Sequence, residues 1–124
     1  MRGMLRIGTW NVEYGLGAER NTQRLEALLS ADADIWVPTE THDDLSLPPP
    51  YVGVSTDARP GMKRGSRWTT IWSRLPVFER LGVKDENRSV AVIVRGEMGD
   101  LIVFGTVLPW HSDRGDVPGG PLLP

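Results

Sequence analysis

Three side chains near the start of the chain could do chemistry together. Asn11 and Glu13 follow the apolar stretch Leu5-Arg6-Ile7, and Glu40 closes Ile35-Trp36-Val37-Pro38-Thr39. Both stretches have strand character. A carboxylate and an amide oxygen delivered from two neighbouring strand ends are hard ligands, the kind that a divalent cation takes. Strand side chains alternate, so Asn11 and Glu13 are expected on one face, shared with Leu5 and Ile7. Each residue also has a plainer reading. Glu40 could be a solvated acid at a strand end, Glu13 an exposed loop acid, and Asn11 a side chain that satisfies turn backbone. His42, two residues after Glu40, reads as loop. His111, beside Trp110, is either a loop residue or a hydrogen-bond donor to an anion. Arg59, Lys63, Arg64 and Arg67 form a basic run that is either a wet loop or a local attraction for phosphate.

The elements that must position these residues follow from the pattern. A first strand runs over residues 5–13. A glycine-containing loop, Tyr14-Gly15-Leu16-Gly17-Ala18, leads to a helix capped by Asn21 and ending near Ser30. Leu25, Leu28 and Leu29 make its apolar stripe, with Arg24 among the residues on the wet face. After the short link Ala31-Asp32-Ala33-Asp34 comes a second strand, residues 35–40, which makes a βαβ unit with parallel neighbours. Further strands are expected at 51–55, 68–73, 77–81, 89–94 and 101–108. Residues 95–100, with Gly96 and Gly99, join the last two strands as a hairpin. The near-continuous apolar character of those two predicts strands covered on both faces. Trp10 and Trp36 are assigned to the core of the βαβ unit, and Arg74 to tying down the turn before Pro76. Residues 109–124, rich in Pro and Gly, are expected to be irregular.

Composition narrows the class. At 124 residues one small domain is expected, and the net charge of −2 gives no global basic footprint for nucleic acid. There is no cysteine, hence no disulfide and no thiolate metal site. No apolar run approaches the roughly 20 residues of a membrane span. A cytoplasmic, soluble protein is the expectation.

Four segments together resemble the endonuclease/exonuclease/phosphatase superfamily. They are Ile7-Gly8-Thr9-Trp10-Asn11-Val12, then Asp32-Ala33-Asp34-Ile35-Trp36-Val37-Pro38-Thr39-Glu40, then Thr70-Ile71-Trp72-Ser73-Arg74-Leu75-Pro76-Val77, and finally Phe104-Gly105-Thr106-Val107-Leu108-Pro109-Trp110-His111. The resemblance implies an α/β fold: the N-terminal half of a four-layer α/β/β/α sandwich, with a mixed sheet and one main helix. It implies hydrolysis of a phosphoester assisted by Mg2+ or Mn2+. Glu40 would be the principal metal ligand, with Asn11 close by and Glu13 assisting; Asn11 and His111 would touch the scissile phosphate. The substrate class (DNA, RNA, phospholipid or sugar phosphate) is left open.

The family's later motifs, Gly-Asp-x-Asn and Ser-Asp-His, have no counterpart here. Asp85-Glu86-Asn87 comes too early, and Asp113 and Asp116 follow no strand. Residues 1–124 are therefore read as a partial domain, truncated and inactive as a lone chain. The rival reading is a non-catalytic remnant or interaction module that keeps the sheet. A half sandwich is also expected to leave one apolar sheet face open, either for a C-terminal half or for self-association.

Overall fold

The structure is a computed structural model that describes residues 4–108. The expectations for residues 109–124, His111 among them, lie outside the described residues.

β1 (Ile7–Gly8) and β2 (Ile35–Trp36) pair in parallel, Ile7 with Ile35 and Gly8 with Trp36, and α1 (Ala18–Ser30) crosses between them. This is the expected βαβ unit. An isolated parallel bridge, Asn11 with Thr39, continues the same register beyond β2. The helix begins earlier than its sequence pattern predicts. Gly17, at φ 84°, precedes it, and Asn21 lies inside the first turns, where its amide donates to the Gly15 carbonyl at 2.8 Å. The helix face is also rotated from the expected one. Arg24 is only 7% exposed because its guanidinium donates to the Leu16 carbonyl and to Asn21 Oδ1, each at 2.8 Å, while Leu29 is exposed.

The predicted strand at 35–40 is two elements, β2 and β3 (Thr39–His42), separated by Val37-Pro38. Pro38 has no N–H to give the ladder. Both run antiparallel along β5 (Ser66–Ser73), with Ile35 opposite Ser73 and Thr39 opposite Thr69. β5 starts at Ser66 rather than at Trp68, because Thr41 and His42 continue the pairing to Arg67 and Ser66. β4 (Val52–Ser55) also pairs with β5, completing a five-stranded sheet.

A second sheet holds β6 (Val77–Leu81), β7 (Ser89–Gly96) and β8 (Gly99–Thr106), all antiparallel, with Gly96 and Gly99 closing the expected hairpin. The two sheets share one core, built from Ile35 and Ile71 of the first and Val90, Val92, Val94 and Val103 of the second. They approach closely at Gly105, where a Cβ would stand 2.8 Å from Val37 Cγ1. On the far side of the first sheet, Leu28 of α1 packs with Ala33, Trp36, Leu47 and Tyr51. The layers therefore run helix, sheet, sheet, in agreement with the expected partial α/β sandwich.

Two burial expectations are corrected. Trp10 is exposed rather than core, since it lies where the first strand runs out past β2. β8 is covered on one face only. The pairs Ala91–Phe104 and Ile93–Ile102 point away from the shared core, and Ile102 and Phe104 are 63% and 56% exposed. No described helix is long and apolar enough to cross a membrane.

Candidate functional site

The first strand delivers Asn11 opposite Thr39 through backbone pairing alone. Thr39 N donates to the Trp10 carbonyl at 2.9 Å, and Val12 N donates to the Thr39 carbonyl at 3.0 Å. Asn11 is thereby held against Thr39, the residue before Glu40. Its Oδ1 accepts from Glu13 N at 2.9 Å, as an Asx turn does.

At Val12 the strand stops. Glu13–Gly15 form a 3-10 turn in which Glu13 and Tyr14 have φ of 53° and 58°. Period-2 alternation is lost there, so Asn11 and Glu13 do not share a strand face. The Glu13 carboxylate instead turns toward α1, 3.9 Å from Arg24 and 4.0 Å from Arg20.

Glu40 is half-buried in β3, and its φ is 52°. Left-handed backbone costs a non-glycine residue about 1–2 kcal/mol, and such strain gathers at functional positions. Glu40 makes no hydrogen bond or ion pair with a described residue. It is a carboxylate held in a strained, partly desolvated position without a partner among the described residues.

His42 is a structural residue rather than the loop residue its sequence position suggests. It is buried in β3, and its Nδ1 accepts the Asp44 N–H at 3.0 Å. Nε2 therefore carries the ring proton and donates to the Arg64 carbonyl at 2.8 Å. Gly65, at φ 93°, fits closely here, since a Cβ would meet the ring at 2.8 Å.

The basic run divides. Arg67 makes a two-pronged pair with Asp43, at 2.8 and 3.1 Å, and donates to the Thr56 carbonyl. The bond from Arg67 holds the Asp43 carboxyl below its ordinary value, and the same bond raises Arg67. Asp43 is thus a brace on the end of β3. Arg59 lies over the Trp68 ring at 3.6 Å and donates through Nη1 to the Tyr14 hydroxyl. No sequence signal marks this cluster, because its members come from three separate segments.

The ladder therefore sets Asn11 against Thr39, one residue before Glu40, while the Glu13 carboxylate faces α1, and His111 lies outside the described residues. Among the described residues no three His, Asp or Glu side chains converge as a metal-binding group. One unengaged carboxylate and one amide oxygen are a poor set for calcium. They suit magnesium, which is commonly held by one or two carboxylates and keeps several waters.

Helix, stacked sheets, and polar residues at adjoining strand ends define a partial, nuclease-like α/β fold. The fold is similar to that of the endonuclease domain of TRAS1, a telomere-specific non-LTR retrotransposon, with a TM-score of 0.61 at 15% identity over 84% of this chain. The chain covers 46% of that domain, so it spans less than half of the neighbour's length. No protein-family model and no curated protein sequence matches it.

The strain at Glu40 is measurable. Glu40→Gly should raise stability toward urea by about 1 kcal/mol, whereas Glu40→Ala, which keeps the strain, should change it little. A Glu40→Gly protein less stable than the parent would contradict the strain assignment.

Proposed function

We propose that the chain is an endonuclease/exonuclease/phosphatase-type domain whose reaction is metal-dependent phosphoester hydrolysis, and that residues 4–108 supply its metal- and phosphate-binding half-site. The observation that carries this reading is Glu40: an unengaged carboxylate, left-handed and half-buried, next to Asn11. The fold shared with an endonuclease domain supports it.

Glu40 would hold a Mg2+ or Mn2+ ion together with Asn11 Oδ1 and waters, and Glu13 would stand by as a more distant acid. When bound, such an ion neutralises charge on the phosphoryl oxygens. The chain's own residues do the positioning. The parallel ladder fixes Asn11 relative to Glu40, and the Asn11 amide Nδ2 is a donor for a phosphate oxygen. His111 is proposed as a second donor to that phosphate. Because the chain spans under half of the similar domain, the general base of the reaction is assigned to the remainder of such a fold.

A manganese titration followed by the electron paramagnetic resonance of free Mn2+ tests the metal site. The parent chain should bind one equivalent weakly, and Glu40→Gln should weaken binding at least about tenfold, as loss of the sole carboxylate ligand implies. Equal binding by both would contradict the proposal.

The open face of the second sheet supports a further part of the same reading. We propose that the exposed Ile102 and Phe104 of β8 are the surface through which the chain self-associates. Sedimentation velocity should show a concentration-dependent dimer that Phe104→Asp abolishes. A chain that stays monomeric at high micromolar concentration would rule this out.

A further inference from the structure

β8 is an edge of the second sheet, whose strand order is β6-β7-β8. Its pairing with β7 runs without a register shift from Ser89–Thr106 to Gly96–Gly99. The pair that closes a two-residue loop is a hydrogen-bonded one, so Gly99, Leu101, Val103 and Gly105 spend their backbone groups on β7. The bonds at either end keep the same alternation. Val107 N donates to the Arg88 carbonyl at 3.2 Å, and Arg95 N turns away from β8 to the Pro76 carbonyl at 2.9 Å. Asp100, Ile102, Phe104 and Thr106 therefore turn their N–H and C=O groups to the outer edge. Among the described residues nothing takes these groups up.

Proteins blunt an exposed edge with prolines, bulges, charges or short strands. The opposite edge of this sheet has such devices. Pro76 precedes β6, the register shifts between Val77 and Glu79, and Glu79 and Arg80 follow. β8 lacks them. From Gly99 to Thr106 it has no proline and no basic residue, and its one acid, Asp100, is paired with Arg95 at 3.0 Å. Two of its edge-directed residues, Ile102 and Phe104, also carry the exposed apolar side chains of the open face.

We infer that β8 pairs antiparallel with β8 of a second copy about a two-fold axis at Val103, joining two three-stranded sheets into one. This rests on the self-association proposed above and gives it a geometry. The strand complements itself in this register. Ile102 lies opposite Phe104 of the second copy on both sides of the axis, a β-branched side chain against an aromatic one. Asp100 lies opposite Thr106, so the two acids stay apart. On the core face Leu101 lies opposite Gly105, which has no side chain to oppose it. A shift of one residue would set edge-directed backbone groups against groups already bonded to β7. A shift of two would set Phe104 against Asp100, or Ile102 against Thr106, in place of the apolar pairs.

Amide hydrogen exchange of the whole chain, resolved by residue, tests the geometry below and above the concentration at which sedimentation shows association. Association should slow exchange of the Ile102 and Phe104 amides at least about tenfold, since an edge N–H exchanges readily until it is paired. The amides of Leu101, Val103 and Gly105 should be protected at both concentrations. In a mixture of isotope-labelled and unlabelled chains, intermolecular NMR contacts should join the Ile102 methyl groups to the Phe104 ring.

A dimer whose Ile102 and Phe104 amides exchange as fast as those of the monomer would overturn edge pairing and leave self-association standing. A chain that stays monomeric would overturn both. Protected edge amides with intermolecular contacts from Ile102 to Ile102, and none to Phe104, would overturn the register.

Discussion

The carboxylate of Asp34 sets the register on which the rest depends. It is 7% exposed, and it accepts from Arg6 N at 2.8 Å and from Arg74 Nε at 3.2 Å. Its backbone makes the matching bonds: its N–H donates to the Arg6 carbonyl at 2.8 Å, and its carbonyl accepts from Arg74 N at 3.0 Å. One residue thus joins the start of the first strand, the start of the second, and the turn that leaves β5. Arg74 is held above the ordinary arginine value, first by its bond to Asp32. A buried carboxylate needs such partners, since an unpaired one would cost several kcal/mol. A slip of one residue here would turn the first strand over and carry Asn11 away from Glu40.

What the register places, the backbone then strains. Glu13, Tyr14 and Glu40 are all left-handed non-glycine residues, and they gather where the first strand ends. Glu13 and Tyr14 have visible compensation. Glu13 faces two arginines of α1, and the Tyr14 hydroxyl accepts from Arg59. Glu40 has no such partner in the described chain. A carboxylate kept at this cost without a protein cation is consistent with a cation from solution.

Much of the fold is legible in the sequence because its signals are local. The βαβ unit, the hairpin at Gly96–Gly99 and the turn tied by Arg74 follow from periodicity, glycine placement and the proline after Leu75. The pairing of Asn11 with Thr39, just before Glu40, follows from two parallel strands with polar ends. Features governed by long-range contacts were not legible. Arg24 has a wet-face spacing yet is buried, because the Leu16 carbonyl needs a donor. His42 has a loop context yet is core, because Arg64 and Asp44 supply partners from the chain around it. The Glu13 turn breaks the alternation that its sequence suggests. The Arg59–Trp68–Tyr14 cluster is assembled only by the fold, so spacing gives no sign of it.

The most direct test of the account is where a metal ion sits. Amide resonances of the chain, recorded by NMR with substoichiometric Mn2+, broaden with proximity to the bound ion. The account expects signals of Asn11, Val12, Thr39, Glu40 and Thr41 to vanish first, with those of β6–β8 retained. Broadening centred on Asp32 and Asp34, or on Asp43 and Asp44, or spread evenly over the acidic surface, would contradict a metal- and phosphate-binding half-site built on Glu40.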